Sequence, residues 1–165
     1  MTLADQLAGL GYTNYLVGKW HLGHAKSLYH PLNRGFHHFF GVLGNKLTML
    51  NVFFRKIYTI FTGGGLNSWT KQCGEGRYDL WRDWAPHWDN TTHVTELLNS
   101  EAAAVMRRHL ASPDTGPFFL LLAHTAPHDP LLPAPRHIKQ AAGYFYYKTI
   151  SLSINLSTQG LTLIT

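Results

Sequence analysis

Lys19 and His21 are the first side chains whose types and spacing suggest chemistry. They lie two residues apart in the segment GYTNYLVGKWHLG, directly after the apolar pair Leu16-Val17. In an extended chain, residues two apart project to the same side, so both side chains would reach one pocket. A lysine cation beside an imidazole at the end of a strand suits an oxyanion such as phosphate or sulfate. The simpler alternative is that Lys19 extends its ammonium group to water and His21 is an ordinary loop residue.

The charge of Lys19 needs a partner if its side chain is buried. Burying an unpaired lysine costs several kcal/mol, and the segment GYTNYLVGKWHLG contains no Asp or Glu. A lysine and an anion about 4 Å apart attract each other by about 4 kcal/mol at an effective dielectric constant of about 20. A bound anion would therefore offset much of the cost of burial.

A third candidate, His128, lies in the segment HTAPHDP, which follows a continuous apolar run. Pro127 before it and Asp129-Pro130 after it restrict its backbone, so its imidazole would be held rigidly enough to donate a hydrogen bond to a ligand. Two alternatives remain open: His124 and His128 simply end a strand, or they bind zinc. Their spacing of four would suit zinc on a helix, but Pro127 disfavours a helix there.

Two stretches of the sequence predict the same order of elements, a helix, a break and a strand. The first predicts a helix over Thr2–Leu10, ended by Gly11, and a strand over Tyr12–Val17. The second predicts a helix over Thr92–Leu110, with its first residue as N-cap, and a continuous apolar strand over Phe118–Ala123. Such strands are typical of the buried parallel sheet of an α/β domain. The helix face predicted to be buried consists of Val94, Leu98, Ala102, Val105 and Leu110.

The candidate residues follow these two strands. Gly18–His21 comes after the first predicted strand, and the segment with His128 comes after the second. We expect the two strands to be parallel in one sheet with the second helix packed on one face. Because loops at the carboxyl ends of parallel strands are where such sheets bind ligands, Lys19, His21 and His128 are predicted to converge on one anion pocket.

Composition narrows the classes of function. The chain has 165 residues, of which 45% are hydrophobic, as expected for one folded domain. A net charge of +5 and a pI near 9.4, without any lysine- or arginine-rich run, favour anionic small ligands over nucleic acid. No apolar run reaches the roughly 18 residues of a membrane span. The start, MTLADQLAGLGY, lacks the basic and then apolar pattern of a secretory signal.

Three residues bear on covalent modification. Cys73 is the single cysteine, so it cannot form an internal disulfide or a Cys-based zinc site. Asn90 and Asn155 begin the triplets Asn-Thr-Thr and Asn-Leu-Ser, which are acceptor sequences for N-glycosylation. These triplets matter in a secreted or lysosomal protein.

Taken together, the motifs resemble those of a known family. GYTNYLVGKWHLG looks like the second signature of the sulfatases, and PLNRGFHHFFGVLG is similar to the sequence that follows it there. GRYDLW, TTHVTELLNSEAAAVMRRHL, GPFFLLLAHTAPHDPL and APRHI continue in the order seen in arylsulfatases of the N-acetylgalactosamine-4-sulfatase (arylsulfatase B) type. The resemblance covers residues 1–138 with gaps, a partial catalytic domain, whereas residues 139–165 form a divergent tail without the family pattern.

The resemblance implies a fold and a set of site residues. The fold would be an α/β, alkaline-phosphatase-like parallel-sheet sandwich, present here as a truncated domain. In this family a formylglycine, made from Cys or Ser in a C/S-x-P-S-R motif, is the nucleophile, and Ca²⁺ held by oxygen ligands neutralises the site. By the resemblance, Lys19 would contact the sulfate and the formylglycine, and His21 would hydrogen-bond a formylglycine hydroxyl. His128 would bind the sulfate and assist the leaving oxygen.

The resemblance also implies a substrate class and a location. The chain would be an arylsulfatase-like sulfuric ester hydrolase acting on a sulfated small molecule or a sulfated glycosaminoglycan sugar, in the lysosome or outside the cell. The chain departs from the family in two respects that bear on catalysis. It contains no C/S-x-P-S-R motif, since Cys73 lies in CGEGR, and it lacks the family's calcium-ligand segments. We therefore expect the isolated chain to be inactive. The rival interpretation is a noncatalytic anion-binding or decoy product, and phosphate ester hydrolysis on the same fold is a weaker third.

Overall fold

The computed structural model describes residues 1–44, 72–73, 77–112 and 116–126. Helix α1 spans Leu3–Gly9, and strands β1 and β2 span Thr13–Lys19 and His38–Val42. Two 3₁₀ turns lie between these strands, at Ser27–Tyr29 and Pro31–Asn33. The remaining elements are β3 (Gln72–Cys73), β4 (Arg77–Tyr78), β5 (Trp81–Arg82), β6 (Ala85–Pro86), α2 (Val94–Leu110) and β7 (Phe118–Ala123). His128, Asn155 and the predicted tail at 139–165 lie outside the described residues.

The first helix forms where the sequence predicts it. Thr2 is its N-cap: the Asp5 backbone N–H donates to the Thr2 hydroxyl at 3.1 Å, and the Asp5 carboxylate accepts from the Thr2 backbone N–H. This reciprocal capping box satisfies two donors at the helix start. Gly11 follows the helix with φ of +84°, the left-handed conformation expected of a residue that ends a helix.

The two predicted strands are neighbours in one sheet, as expected. Strand order is β6-β5-β2-β1-β7, and β1 is parallel to both β2 and β7. Strand β7 has the predicted bounds, but β1 continues to Lys19 instead of ending at Val17. Gly18 lies opposite both Gly41 and Ala123, so the backbone ladder includes the residues that were predicted to follow the strand.

The sheet is mixed and not purely parallel as the sequence predicts. Strand β5 pairs with β2 in antiparallel orientation, and β6 pairs with β5 in the same way. This hairpin places Pro86 on an outer strand, where a proline removes no ladder hydrogen bond that a neighbour requires. A separate antiparallel pair is formed by β3 and β4.

The core has one hydrophobic cluster on each face of the sheet. On one face the buried side of α2 packs against Val17, Phe40, Val42 and Leu80, and on the other face Ala4 of α1 packs with Leu16, Trp20, Phe36, Phe39 and Leu43. Val94, Leu98, Ala102 and Val105 of α2 are buried as predicted.

Three details of the second helix and strand differ from prediction. Leu110, at the last residue of α2, is 67% exposed, so its predicted burial is wrong. The N-cap is His93 and not Thr92, because the His93 Nδ1 accepts from the Thr95 backbone N–H at 3.3 Å. Strand β7 is only partly buried, with Leu121 38% exposed, because among the described elements it pairs on one edge alone. Within the described residues no helix is both long and apolar enough to span a bilayer.

Candidate functional site

Lys19 is the last residue of β1 and lies at the carboxyl edge of the parallel strands. It is opposite Val42 in β2, and its side chain is partly buried. The ion pairs found among the described residues involve His38, Arg82 and Arg108, and none involves Lys19. Among the described residues no carboxylate forms an ion pair with Lys19, so its ammonium group is available to an anion.

Glycine at position 18 allows the strand ends to lie close together. Gly18 has φ of +124°, and a Cβ there would collide with the Ala123 carbonyl oxygen of the neighbouring strand. On the other side, a Cβ at Gly41 would collide with the Gly18 carbonyl oxygen. Both positions therefore require glycine, because the backbones of β1, β2 and β7 approach closely next to the end of β1, where Lys19 lies.

His21 lies just beyond β1 at the same edge. Its backbone N–H donates to the Leu43 carbonyl at 3.1 Å, so the contact with the chain after β2 continues past the strand. His21 has φ of +56°, a left-handed conformation, and is exposed. The alternation expected of an extended segment therefore does not apply between Lys19 and His21, and that part of the prediction is wrong.

Trp20, between the two candidate residues, holds the loop in place. Its indole N–H is shared between the Tyr29 carbonyl at 2.8 Å and the Gly23 carbonyl at 3.1 Å, and its ring packs edge-on against Phe36. The sequence alone indicates no role for Trp20. Its large ring and single polar N–H are the kind of side chain that anchors a loop to a core.

His124 is brought to the same edge as Lys19. It follows β7 directly, and because Gly18 pairs with Ala123, Lys19 and His124 occupy the next positions on adjacent parallel strands. The His124 Nδ1 is buried and makes no hydrogen bond with the described residues. Burial lowers the pKa of His124 below its usual 6.5, which favours the neutral imidazole. His128, four residues on, lies outside the described residues, and its convergence with Lys19 stays a prediction.

A charged cluster lies at the opposite edge of the sheet. Glu101 of α2 has a side chain only 8% exposed and accepts from His38 at 3.0 Å, Arg82 at 2.7 Å and Arg108 at 3.1 Å. Burial alone would raise the pKa of Glu101, but these hydrogen bonds outweigh it and hold that pKa well below its usual value. His38 also contacts Asp83 at 3.0 Å. His38 begins β2 whereas Lys19 ends β1, so this cluster is separate from the candidate site and serves to join α2 to the sheet.

The described residues do not fit the calcium ion implied by the resemblance. No three His, Cys, Asp or Glu side chains in the described part of the chain are arranged to hold a metal. Calcium favours six to eight oxygen ligands. We therefore assign no step to a metal at this edge.

Comparisons with known proteins identify the family to which this chain belongs. The sulfatase family profile matches residues 1–156, and the chain belongs to the sulfatase family. Among curated proteins it is similar to arylsulfatase J of Mus musculus, with 31% identity over 158 residues that cover 93% of this chain and 22% of the relative. The arylsulfatase B subgroup is not confirmed.

Two solved structures share the fold. The crystal structure of Ps i-CgsB in complex with k-i-k-neocarrahexaose superposes with a TM-score of 0.58 at 24% identity, over 83% of this chain and 29% of that one. A protein solved with its substrate D-glucosamine-2-N,6-O-disulfate superposes with a TM-score of 0.55 at 19% identity, over 88% and 22% of the two chains. The predicted alkaline-phosphatase-like α/β fold is thereby confirmed, and this chain spans less than a third of each relative.

Proposed function

We propose that this chain forms the sulfate-binding side of the active site of an arylsulfatase-like sulfuric ester hydrolase. The observation that carries the proposal is the position of Lys19. It ends a central parallel strand in a chain of the sulfatase family, is partly buried, and has no carboxylate partner in the described residues. A sulfate at this edge would supply the missing negative charge, and a contact of about 4 Å would contribute at most about 4 kcal/mol.

The roles of the other residues complete the proposal. His21 provides a hydrogen bond near the reacting group, and His128 binds the sulfate and gives a proton to the leaving oxygen. Support for His128 is indirect: in the sequence it comes five residues after Ala123, the last residue of β7, and β7 ends beside β1 at the edge where Lys19 lies. Calcium and formylglycine belong to the proposal at the level of the family, because the chain contains no C/S-x-P-S-R motif.

Chemical modification of lysine tests the binding proposal. An amine-acylating reagent followed by peptide mass spectrometry reports the reactivity of each lysine separately. We expect sulfate or vanadate to protect Lys19 and to leave Lys26 unchanged, since Lys26 is exposed in the loop after β1 and serves as the internal control. Chloride at the same ionic strength should protect neither. Equal protection of both lysines, or of neither, would contradict the proposal.

We further propose that the chain by itself does not turn over sulfate esters. Loss of a nucleophile costs on the order of 10⁶ in kcat in a well-studied serine protease, and this chain has none in the family's motif. The assay is hydrolysis of p-nitrocatechol sulfate by the 165-residue chain with and without calcium. Turnover above that of a Lys19→Ala control would contradict inactivity, whereas sulfate binding without turnover would favour the noncatalytic anion-binding alternative.

The proposed substrate is a sulfated small molecule or a sulfated glycosaminoglycan sugar. Support comes from the structural relative whose substrate is D-glucosamine-2-N,6-O-disulfate. A lysosomal or secreted location is proposed with it. The division into a catalytic part at 1–138 and a tail at 139–165 stays a prediction, and so does the absence of nucleic acid as a partner.

A further inference from the structure

The turn between β6 and α2 is held in a fixed conformation by two side chains. The Tyr78 hydroxyl donates to the His87 carbonyl at 2.6 Å and accepts from the Asp89 backbone N–H at 2.8 Å. The Asp89 carboxylate in turn accepts from the backbone N–H groups of Thr91 at 2.8 Å and Thr92 at 2.9 Å. Burial would raise the pKa of Asp89, but these hydrogen bonds outweigh it and keep the pKa far below its usual value. The turn thus keeps its shape without help from Asn90.

Asn90 stands at the outside of this turn. It is exposed, and its amide makes no hydrogen bond with the described residues. It begins the triplet Asn90-Thr91-Thr92, the acceptor sequence for N-glycosylation, which requires an accessible asparagine on a surface loop. Asn90 is therefore accessible on a surface loop, as the acceptor of an N-linked glycan must be, and the sequence alone could not show this.

Trp88 gives the turn a second feature, an exposed aromatic ring. It lies two residues before Asn90 and is 69% exposed. Tyr78 stacks on it with ring centroids 4.2 Å apart and an interplanar angle of 26°, so one face is covered. The exposed area belongs to the other face and the ring edges, and that face offers a flat apolar surface on the residue two positions before the acceptor asparagine.

We propose that Asn90 carries an N-linked oligosaccharide whose first N-acetylglucosamine packs on the open face of Trp88. The C–H groups of a sugar ring and its acetamido methyl group suit an aromatic face, which carries partial negative charge. Hydrogen bonds fix the backbone on both sides of Asn90, so packing of the sugar on Trp88 would cost little backbone conformational entropy.

The modification uses an oligosaccharide linked to a lipid diphosphate as donor. The Asn90 side-chain nitrogen forms a bond to C1 of the first sugar while the bond between C1 and the diphosphate oxygen breaks. The amide nitrogen gives up one proton to a base, and the lipid diphosphate leaves with the bonding electron pair. No oxidation or reduction takes place.

Occupancy is tested with the full chain secreted from eukaryotic cells behind a cleavable leader. All variants carry Asn155→Gln so that the second triplet cannot contribute. We expect treatment with peptide-N-glycosidase to remove one glycan from the parent and from Thr91→Ala, which keeps the acceptor triplet. Asn90→Gln and Thr92→Ala should carry none. An unmodified Asn90 in the secreted parent would overturn the proposal.

The contact with Trp88 is tested by hydroxyl-radical oxidation, read residue by residue by mass spectrometry. With the glycan present, we expect the oxidation rate of Trp88 to fall about twofold relative to enzymatically deglycosylated protein, because the sugar covers the open ring face. Trp84, which is 53% exposed in the β5–β6 turn, is the internal control and should not change. Equal oxidation of Trp88 in both forms would overturn the packing, even if Asn90 is glycosylated.

Discussion

Replacing Glu101 by Gln should destabilise the fold, because it removes a buried negative charge that accepts hydrogen bonds from three side chains. The Glu101 side chain is 8% exposed, whereas its partners His38, Arg82 and Arg108 are 14%, 39% and 60% exposed. Removing one member of a buried ion pair costs about 3–5 kcal/mol. The two arginines are partly exposed and are hydrated once the carboxylate is gone, so their loss of an ion pair adds little to the cost of the substitution. We expect the free energy of unfolding to fall by about 2–3 kcal/mol.

The same effect should depend on pH with a definite sign. Because the pKa of Glu101 is lower in the folded state than its usual 4.5, its stabilisation is present above about pH 4.5. It is lost as the pH falls from there through the folded-state pKa. The difference between wild type and Glu101→Gln should therefore be full at pH 7 and smaller at about pH 3.

Urea denaturation followed by circular dichroism measures both quantities. Arg108→Gln is the matched control, because it removes the most exposed partner of the same carboxylate and should cost under about 1 kcal/mol. The reasoning would be refuted if Glu101→Gln lost no more stability than Arg108→Gln. It would also be refuted if the difference in stability between wild type and Glu101→Gln did not shrink in acid.

Two further predictions concern the carboxyl edge of the sheet. Gly18→Ala should cost about 3 kcal/mol or more, because the added methyl group meets the Ala123 carbonyl oxygen at a positive φ; Gly9→Ala, with no atom within 4 Å of the added Cβ, is the control. Equal urea midpoints for the two variants would contradict the close approach of the strands. The His124 imidazole should titrate below 6.5 in an NMR titration, because burial disfavours its charged form. A pKa above 6.5 would show that an anion or a carboxylate lies beside it.

The strands that position the site could be predicted because their apolar patterns are strong. Phe118–Ala123 is a continuous apolar run between a turn and a histidine, and its bounds are correct. The end of β1 could not be predicted in the same way, because glycine and lysine have low strand propensity. Only the pairing of β1 with β2 and β7 shows that Gly18 and Lys19 belong to the strand. The edge position of Lys19 follows from the general behaviour of parallel strands.

Other features depend on contacts between distant residues and could not be predicted. The left-handed conformation of His21 depends on the chain that follows β2. The hairpin of β5 and β6 consists of two-residue strands, too short for any period to appear. Glu101 lies three residues after Leu98 and four before Val105, so the helical period places it on the buried face. The period does not show what satisfies its charge, because His38 and Arg82 come from distant parts of the chain.

The central claim is that Lys19 binds sulfate, and equilibrium dialysis with radiolabelled sulfate measures it most directly. The proteins to compare are wild type, Lys19→Met and Lys26→Met, which carry equal changes in net charge. We predict that Lys19→Met weakens sulfate binding about tenfold or more, corresponding to at least about 1.4 kcal/mol, while Lys26→Met stays within about twofold. Equal affinities of the two variants would contradict the account, since sulfate would then respond to net charge and not to the end of β1.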